Sequence, residues 1–166
     1  VPFYIRTGKR MTEKSTKIVI QFKELPMNLY AQSKNEIHQN LLIIHIQPDE
    51  GLSIVLNGKK IGLSGESTPV KLEYCSSCDD TLNTPEAYEK LLYDCILGDA
   101  TNFTHWDEVA FSWSFVDTIS KVWENTKPLD FPNYEAGSMG PKVSDKLLGE
   151  DGFHWWPILD DSAYSI

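Results

Sequence analysis

The chain contains no Gly-x-Gly-x-x-Gly run or related glycine-rich turn, so a dinucleotide fold of its own is not expected. No apolar run approaches the roughly 20 residues of a membrane-spanning helix. No signal-peptide pattern precedes the first strand-like residues. Val1 stands where a starting Met would be, which leads us to expect an excised piece of a larger protein. Cysteine is scarce, at three residues. Cys75-Ser-Ser-Cys78 has half the ligands of a zinc site and no second pair, so incidental loop cysteines are expected there. Internal repeats and low-complexity segments are absent. Positive charge is also scarce: 15 Lys and Arg stand against 24 Asp and Glu, for a net charge of −9. That balance disfavours nucleic acid and anionic membrane as partners.

What is present is a length of 166 residues. That suits one domain able to bury roughly 70% of its unfolded surface without disulfide or metal staples. The few cations are unevenly placed. Arg6, Lys9, Arg10, Lys14 and Lys17 fall within residues 6–17 beside one acid, Glu13, leaving ten basic and 23 acidic residues for the rest of the chain. A basic loop on an acidic chain fits an anionic small molecule, because lysine offers a point charge with three rotatable donors. A solvated strand crossing whose charges only confer solubility fits as well.

The segment opens on Phe3-Tyr4-Ile5, which is expected to be a buried strand. Residues 16–23 alternate, with Ile18, Ile20 and Phe22 on one side. Residues 24–40 read as a polar, ordered loop able to move. Leu41–Ile46 is nearly all apolar, predicting a central strand covered on both faces, in which His45 is a satisfied buried histidine. Pro48-Asp-Glu-Gly51 supplies a turn, and Leu52, Ile54 and Leu56 return as the partner strand of a hairpin. Residues 57–67 read as a hairpin loop or sheet edge, and residues 68–74 alternate again.

Helices follow. Thr84, Pro85 and Glu86 are suited to the first turn, Tyr88, Leu91, Leu92, Cys95 and Ile96 share one face, and Gly98 supplies a stop. Cys95 is expected in the core. A second helix from about residue 105 to 124 carries Trp106, Trp113 and Trp123 on a broad apolar surface, also expected to be core. Pro128 ends it, a loop with several Gly and Pro follows, a short helix spans 143–148, and Phe153–Trp156 reads as a last strand. His105 and His154 have no ligand-like partner at meaningful spacing. Strands first and helices later predict an α+β fold, a large mainly antiparallel sheet with helices packed on one face.

Four motifs in order carry a resemblance. Val1-Pro-Phe-Tyr-Ile-Arg-Thr-Gly-Lys-Arg10 resembles the Pro-Phe-x-x-Arg-x-Gly-Lys segment of the glucose-6-phosphate dehydrogenase family. Gln47-Pro48 resembles its Gln-Pro turn, and Thr84–Asp94 its Pro-x-x-Tyr-Glu-x-x-x-x-Asp helix. Gly137-Ser-Met-Gly-Pro141 with Ser144–Leu148 resembles its Gly-Ser-x-Gly-Pro segment and last helix. The resemblance implies that residues 1–159 are the C-terminal, substrate-contacting domain, that 160–166 are a tail outside it, and that an N-terminal dinucleotide-binding domain is absent. It implies an enzyme oxidising D-glucose 6-phosphate to 6-phospho-D-glucono-1,5-lactone with NADP, a cytoplasmic homodimer joined through the sheet, with no metal. The family's histidine base has no match among the four histidines, so this stretch alone is expected to be silent. Carried over residue by residue, Lys9 contacts the sugar hydroxyls, Lys14 faces the phosphate, and Gln47 lies near substrate. In some animal members a second NADP sits near this strand. The comparable positions are His45, Ser53 and Val55, a departure from that pattern. A purely structural dimerisation module and a free-standing sugar-phosphate binding domain are the other readings.

Overall fold

The computed structural model describes residues 1–24, 37–63, 66–75, 87–126 and 132–157. The expected mobile loop lies partly outside these residues, as do the first-turn signals Thr84–Glu86, the second cysteine Cys78, the stop at Pro128 and the tail from 160.

Four strands, β1 (Thr16–Gln21), β2 (Leu41–Gln47), β3 (Gly51–Lys59) and β4 (Ser67–Cys75), form one sheet in sequence order, antiparallel throughout. Three helices follow: α1 (Ala87–Leu97), α2 (Trp106–Asn125) and α3 (Val143–Gly149). The fold is α+β. The chain divides into two compact units, residues 1–80 with 134–166, and residues 81–133.

In the first unit, the period of two sorts side chains onto opposite faces of the sheet. Val19 lies opposite Ile43, and Leu41 opposite Gln21 and Val55. Leu41, Ile43 and Val55 are buried, with Val19 and Trp156 packed on them. Each such side chain taken from water contributes about 1.5–3 kcal/mol. The indole N–H of Trp156 donates to Gln21 Oε1 at 3.3 Å. His45 is satisfied, as expected, but half-buried where a buried histidine was expected: its Nε2 lies 3.0 Å from Ser53 Oγ, in a row that continues to Glu73 and Lys71.

The opposite face is apolar across all four strands. Ile18, Ile44, Leu52 and Tyr74 form one cross-strand row, and Ile20, Leu42, Ile54 and Leu72 the next. These residues are half-buried or exposed, Tyr74 by 68%. β2 is therefore interior, but buried on one face only, in contrast to the cover expected on both. Its hairpin with β3 turns at a cis Gln47–Pro48 bond.

Two strand expectations fail. Phe3–Ile5 belongs to no strand among the described residues, and Phe3 and Ile5 are 88% and 81% exposed. Tyr4 alone of the three turns inward, its ring tilted against that of Phe153 at 5.8 Å and its hydroxyl on Asp151. Phe153–Trp156 is likewise not a strand. It is anchored by side chains: Trp156 packs against the buried cluster, while the Trp155 indole donates to the Ser144 carbonyl at 3.1 Å. Apolar side chains anchor both segments where backbone pairing was expected.

In the second unit, Gly98 ends α1 at φ 72°, with its N–H on the Cys95 carbonyl and the Asp99 N–H reaching back to the Asp94 carbonyl. This left-handed stop is the one that glycine permits. Asp94 is buried and accepts from Asn102 Nδ2 at 2.6 Å. His105 caps α2 by accepting the Asp107 N–H. Two further expectations are corrected here. Cys95 is exposed, and α2 has no buried residue, its Trp106, Trp113 and Trp123 being 75%, 62% and 71% exposed. Periodicity marks a surface that gains from cover without naming the neighbour that supplies it. Cys75, closing β4, is disulfide-bonded and so is no incidental thiol.

Candidate functional site: the basic loop

The loop between the N-terminal segment and β1 is pinned on both sides. Upstream, Arg6 lies 4.7 Å over the Trp155 ring, a cation–π contact. Burial there lowers the Arg6 pKa from its ordinary value, and the nearby Asp145 charge opposes the shift. Downstream, Ser15 Oγ donates to the Gln47 carbonyl at 3.3 Å, next to the first pair of the β1–β2 ladder.

Between these anchors, residues 9–12 run along residues 134–137 through a seam of hydrogen bonds. The Lys9 N–H donates to Tyr134 Oη at 3.3 Å, and the same hydroxyl donates to the Lys9 carbonyl at 2.9 Å. The Gly137 N–H donates to the Arg10 carbonyl at 2.8 Å, and Thr12 Oγ1 donates to the Gly137 carbonyl at 3.0 Å. Arg10 has a φ of 55° and Gly137 a φ of 80°. For a non-glycine residue the left-handed region is uncommon, and it persists where neighbours over-determine it.

The seam fixes the backbone and leaves the cations outward. Lys9, Arg10 and Lys14 are exposed, and among the described residues no carboxylate pairs with their charged groups. Such a loop can offer several charge-assisted donors to one anion. Lys14 and Gln47 share a corner through Ser15, whereas Lys9 is held separately by Tyr134. Tyr134, Thr12 and Ser15 were not legible as site residues. The one sequence signal was that Tyr134 stands three residues before the Gly137 motif in a stretch too rich in proline and glycine for a helix.

A half-open hollow of about 270 Å3 lies elsewhere in this unit, among Glu24, His38, Leu41, Val55, His154 and Trp156, and none of Lys9, Lys14 or Gln47 lines it. Among the described residues no three His, Cys, Asp or Glu side chains converge as metal ligands.

The family model for the glucose-6-phosphate dehydrogenase C-terminal domain matches residues 1–156. The chain belongs to the glucose-6-phosphate dehydrogenase family. It is 68% identical over 158 residues to glucose-6-phosphate 1-dehydrogenase of Bacillus subtilis, covering 95% of this chain and 32% of that protein. To the Leuconostoc mesenteroides enzyme of the same name it is 40% identical over 156 residues, 93% of this chain and 31% of that protein. The chain thus spans about a third of the length of the curated relatives it matches. Among solved structures, a glucose-6-phosphate dehydrogenase in complex with its substrate glucose-6-phosphate superposes with a TM-score of 0.71 at 30% identity, over 90% of this chain and 30% of that one. The Mycobacterium avium glucose-6-phosphate 1-dehydrogenase superposes at 0.67 and 23% identity, again over 90% and 30%, a likeness of fold. In this dehydrogenase family domain, the conspicuous concentration of cations is the loop of the first motif, carried beside the Gly-Ser-x-Gly-Pro segment that the seam joins to it.

Proposed function

We propose that residues 1–159 are the C-terminal, substrate-contacting domain of an enzyme that oxidises D-glucose 6-phosphate to 6-phospho-D-glucono-1,5-lactone, with 160–166 a tail. NADP, held by an N-terminal dinucleotide-binding domain outside this chain, accepts the hydride. This domain's own work is to bind and orient. Lys14 pairs with the phosphate dianion, Lys9 donates to hydroxyls at the reacting end of the sugar, and Gln47 adds a polar contact beside Lys14. Fixing the sugar at two points converts an encounter into a near-attack geometry, which is where positioned side chains contribute to rate. The whole enzyme is a cytoplasmic homodimer. Its subunits meet through the sheet, whose continuous apolar face is available for cover.

The observation that carries the reading is the seam itself. Four hydrogen bonds order a loop whose Lys9 and Lys14 ammonium groups pair with no carboxylate among the described residues, on a chain of net charge −9. A loop that served only solubility needs no such ordering. A structural dimerisation module or a free-standing sugar-phosphate domain is less well supported, since the named relatives are dehydrogenases three times this length. Titration of the purified chain with glucose 6-phosphate, followed by amide chemical shifts, tests the reading. Shifts on residues 9–17 with glucose 6-phosphate, and much weaker ones with glucose, are expected. Shifts of equal size with both sugars contradict the phosphate assignment, and none with either supports the purely structural module.

A further inference from the structure

We infer that Tyr134 is a positioning residue, acting through Lys9 to set the direction in which that ammonium group meets substrate; this rests on the proposed contact between Lys9 and the sugar. A phenol hydroxyl is one donor and an acceptor. Here both capacities go to a single residue, the Lys9 N–H and the Lys9 carbonyl, 125 positions away in sequence. Holding both polar groups of one residue fixes the peptide planes on either side of it, and so the direction in which Cβ leaves the backbone. The next residue, Arg10, sits at φ 55° with its carbonyl held by the Gly137 N–H. Without the hydroxyl, water can satisfy the exposed Lys9 groups, and Arg10 regains the commoner right-handed or extended conformations, releasing the direction of Lys9.

The consequence is kinetic. Only the fraction of molecules presenting Lys9 correctly is competent, and apparent affinity and turnover fall by that fraction. One net hydrogen bond of ordinary strength corresponds to a loss of about three- to tenfold. Among the described residues both hydrogen bonds of the Tyr134 hydroxyl go to the Lys9 backbone, so the loss runs through Lys9.

The test is a double-mutant cycle in the whole dehydrogenase that carries this domain, with Tyr134→Phe, Lys9→Ala and both together. The expected result is a fall of about three- to tenfold in kcat/KM for Tyr134→Phe and no further fall when it is added to Lys9→Ala. In a Lys14→Ala background the same loss should appear in full. Tyr134→Phe within twofold of the parent, beside a large effect of Lys9→Ala, overturns the inference and leaves the substrate reading intact. Equal losses with and without the Lys9 side chain overturn it too, since the tyrosine then acts elsewhere. Lys9→Ala within twofold of the parent overturns the substrate contact, and with it this inference. Phenylalanine keeps the half-buried ring; if that variant is not recovered folded, Tyr134→Leu, which also lacks a donor and an acceptor, enters the same cycle with the same criteria.

Discussion

Lys14→Ala separates the phosphate contact from the chemistry. The side chain is exposed and, among the described residues, pairs with no carboxylate, so its removal breaks no internal ion pair. Surface changes of this kind alter stability by about 0.5 kcal/mol or less, and any kinetic effect reports on substrate. A charge-assisted hydrogen bond contributes about 1.5–3 kcal/mol, corresponding to about a ten- to hundredfold rise in KM for glucose 6-phosphate. The phosphate is remote from the hydride, so its contact acts similarly in ground and transition states, and kcat should stay within about twofold. Lys9→Ala should differ: its proposed contact is with the reacting end of the sugar, and kcat should fall together with kcat/KM. Steady-state kinetics of the whole enzyme, with each variant's melting temperature as the folding control, decide between them. A KM for Lys14→Ala within twofold of the parent refutes the assignment, as does a large fall in kcat with KM unchanged.

Three further outcomes are expected. The chain by itself should not reduce NADP in the presence of glucose 6-phosphate, and a rate above that of a mock-purified control would contradict the division of labour proposed here. The apolar rows Ile18–Ile44–Leu52–Tyr74 and Ile20–Leu42–Ile54–Leu72 should drive self-association, seen as a dimer mass by light scattering at micromolar concentration; a monomer throughout would count against the sheet as the subunit contact. Ile43→Ala, at a residue with 0% exposure clustered with Leu41 and Val55, should lower the unfolding free energy by about 2–5 kcal/mol in urea, and a loss under 1 kcal/mol would place the core elsewhere.

The sheet was largely legible because its signal is local. Alternation in 16–23, 52–56 and 68–74 and the continuous apolar run 41–46 each map onto one observed strand, and the turn residues at 48–51 mark the hairpin between two of them. Helix α1 ends at Gly98, and α2 begins after His105, within a residue of the expected start. The terminal segments misled because Phe3–Ile5 and Phe153–Trp156 are as apolar as strands, yet their anchoring is by isolated side chains: Tyr4 on Phe153, Arg6 on Trp155, Trp156 on the sheet. The apolar stripes of α1 and α2 gave the right element and the wrong environment. At the candidate site, Lys9, Lys14 and Gln47 were reached by resemblance. The Tyr134 contact that organises Lys9 joins positions 125 apart and leaves no periodic trace in the sequence.

A crystal structure of the whole dehydrogenase with glucose 6-phosphate tests the central claim most directly. The account predicts the phosphate within about 4 Å of Lys14 Nζ, the distance of an ion pair, the sugar hydroxyls in hydrogen-bond reach of Lys9 Nζ, and the Tyr134 hydroxyl still bridging the Lys9 backbone. A phosphate seated away from residues 9–17, with both ammonium groups left in solvent, would contradict it.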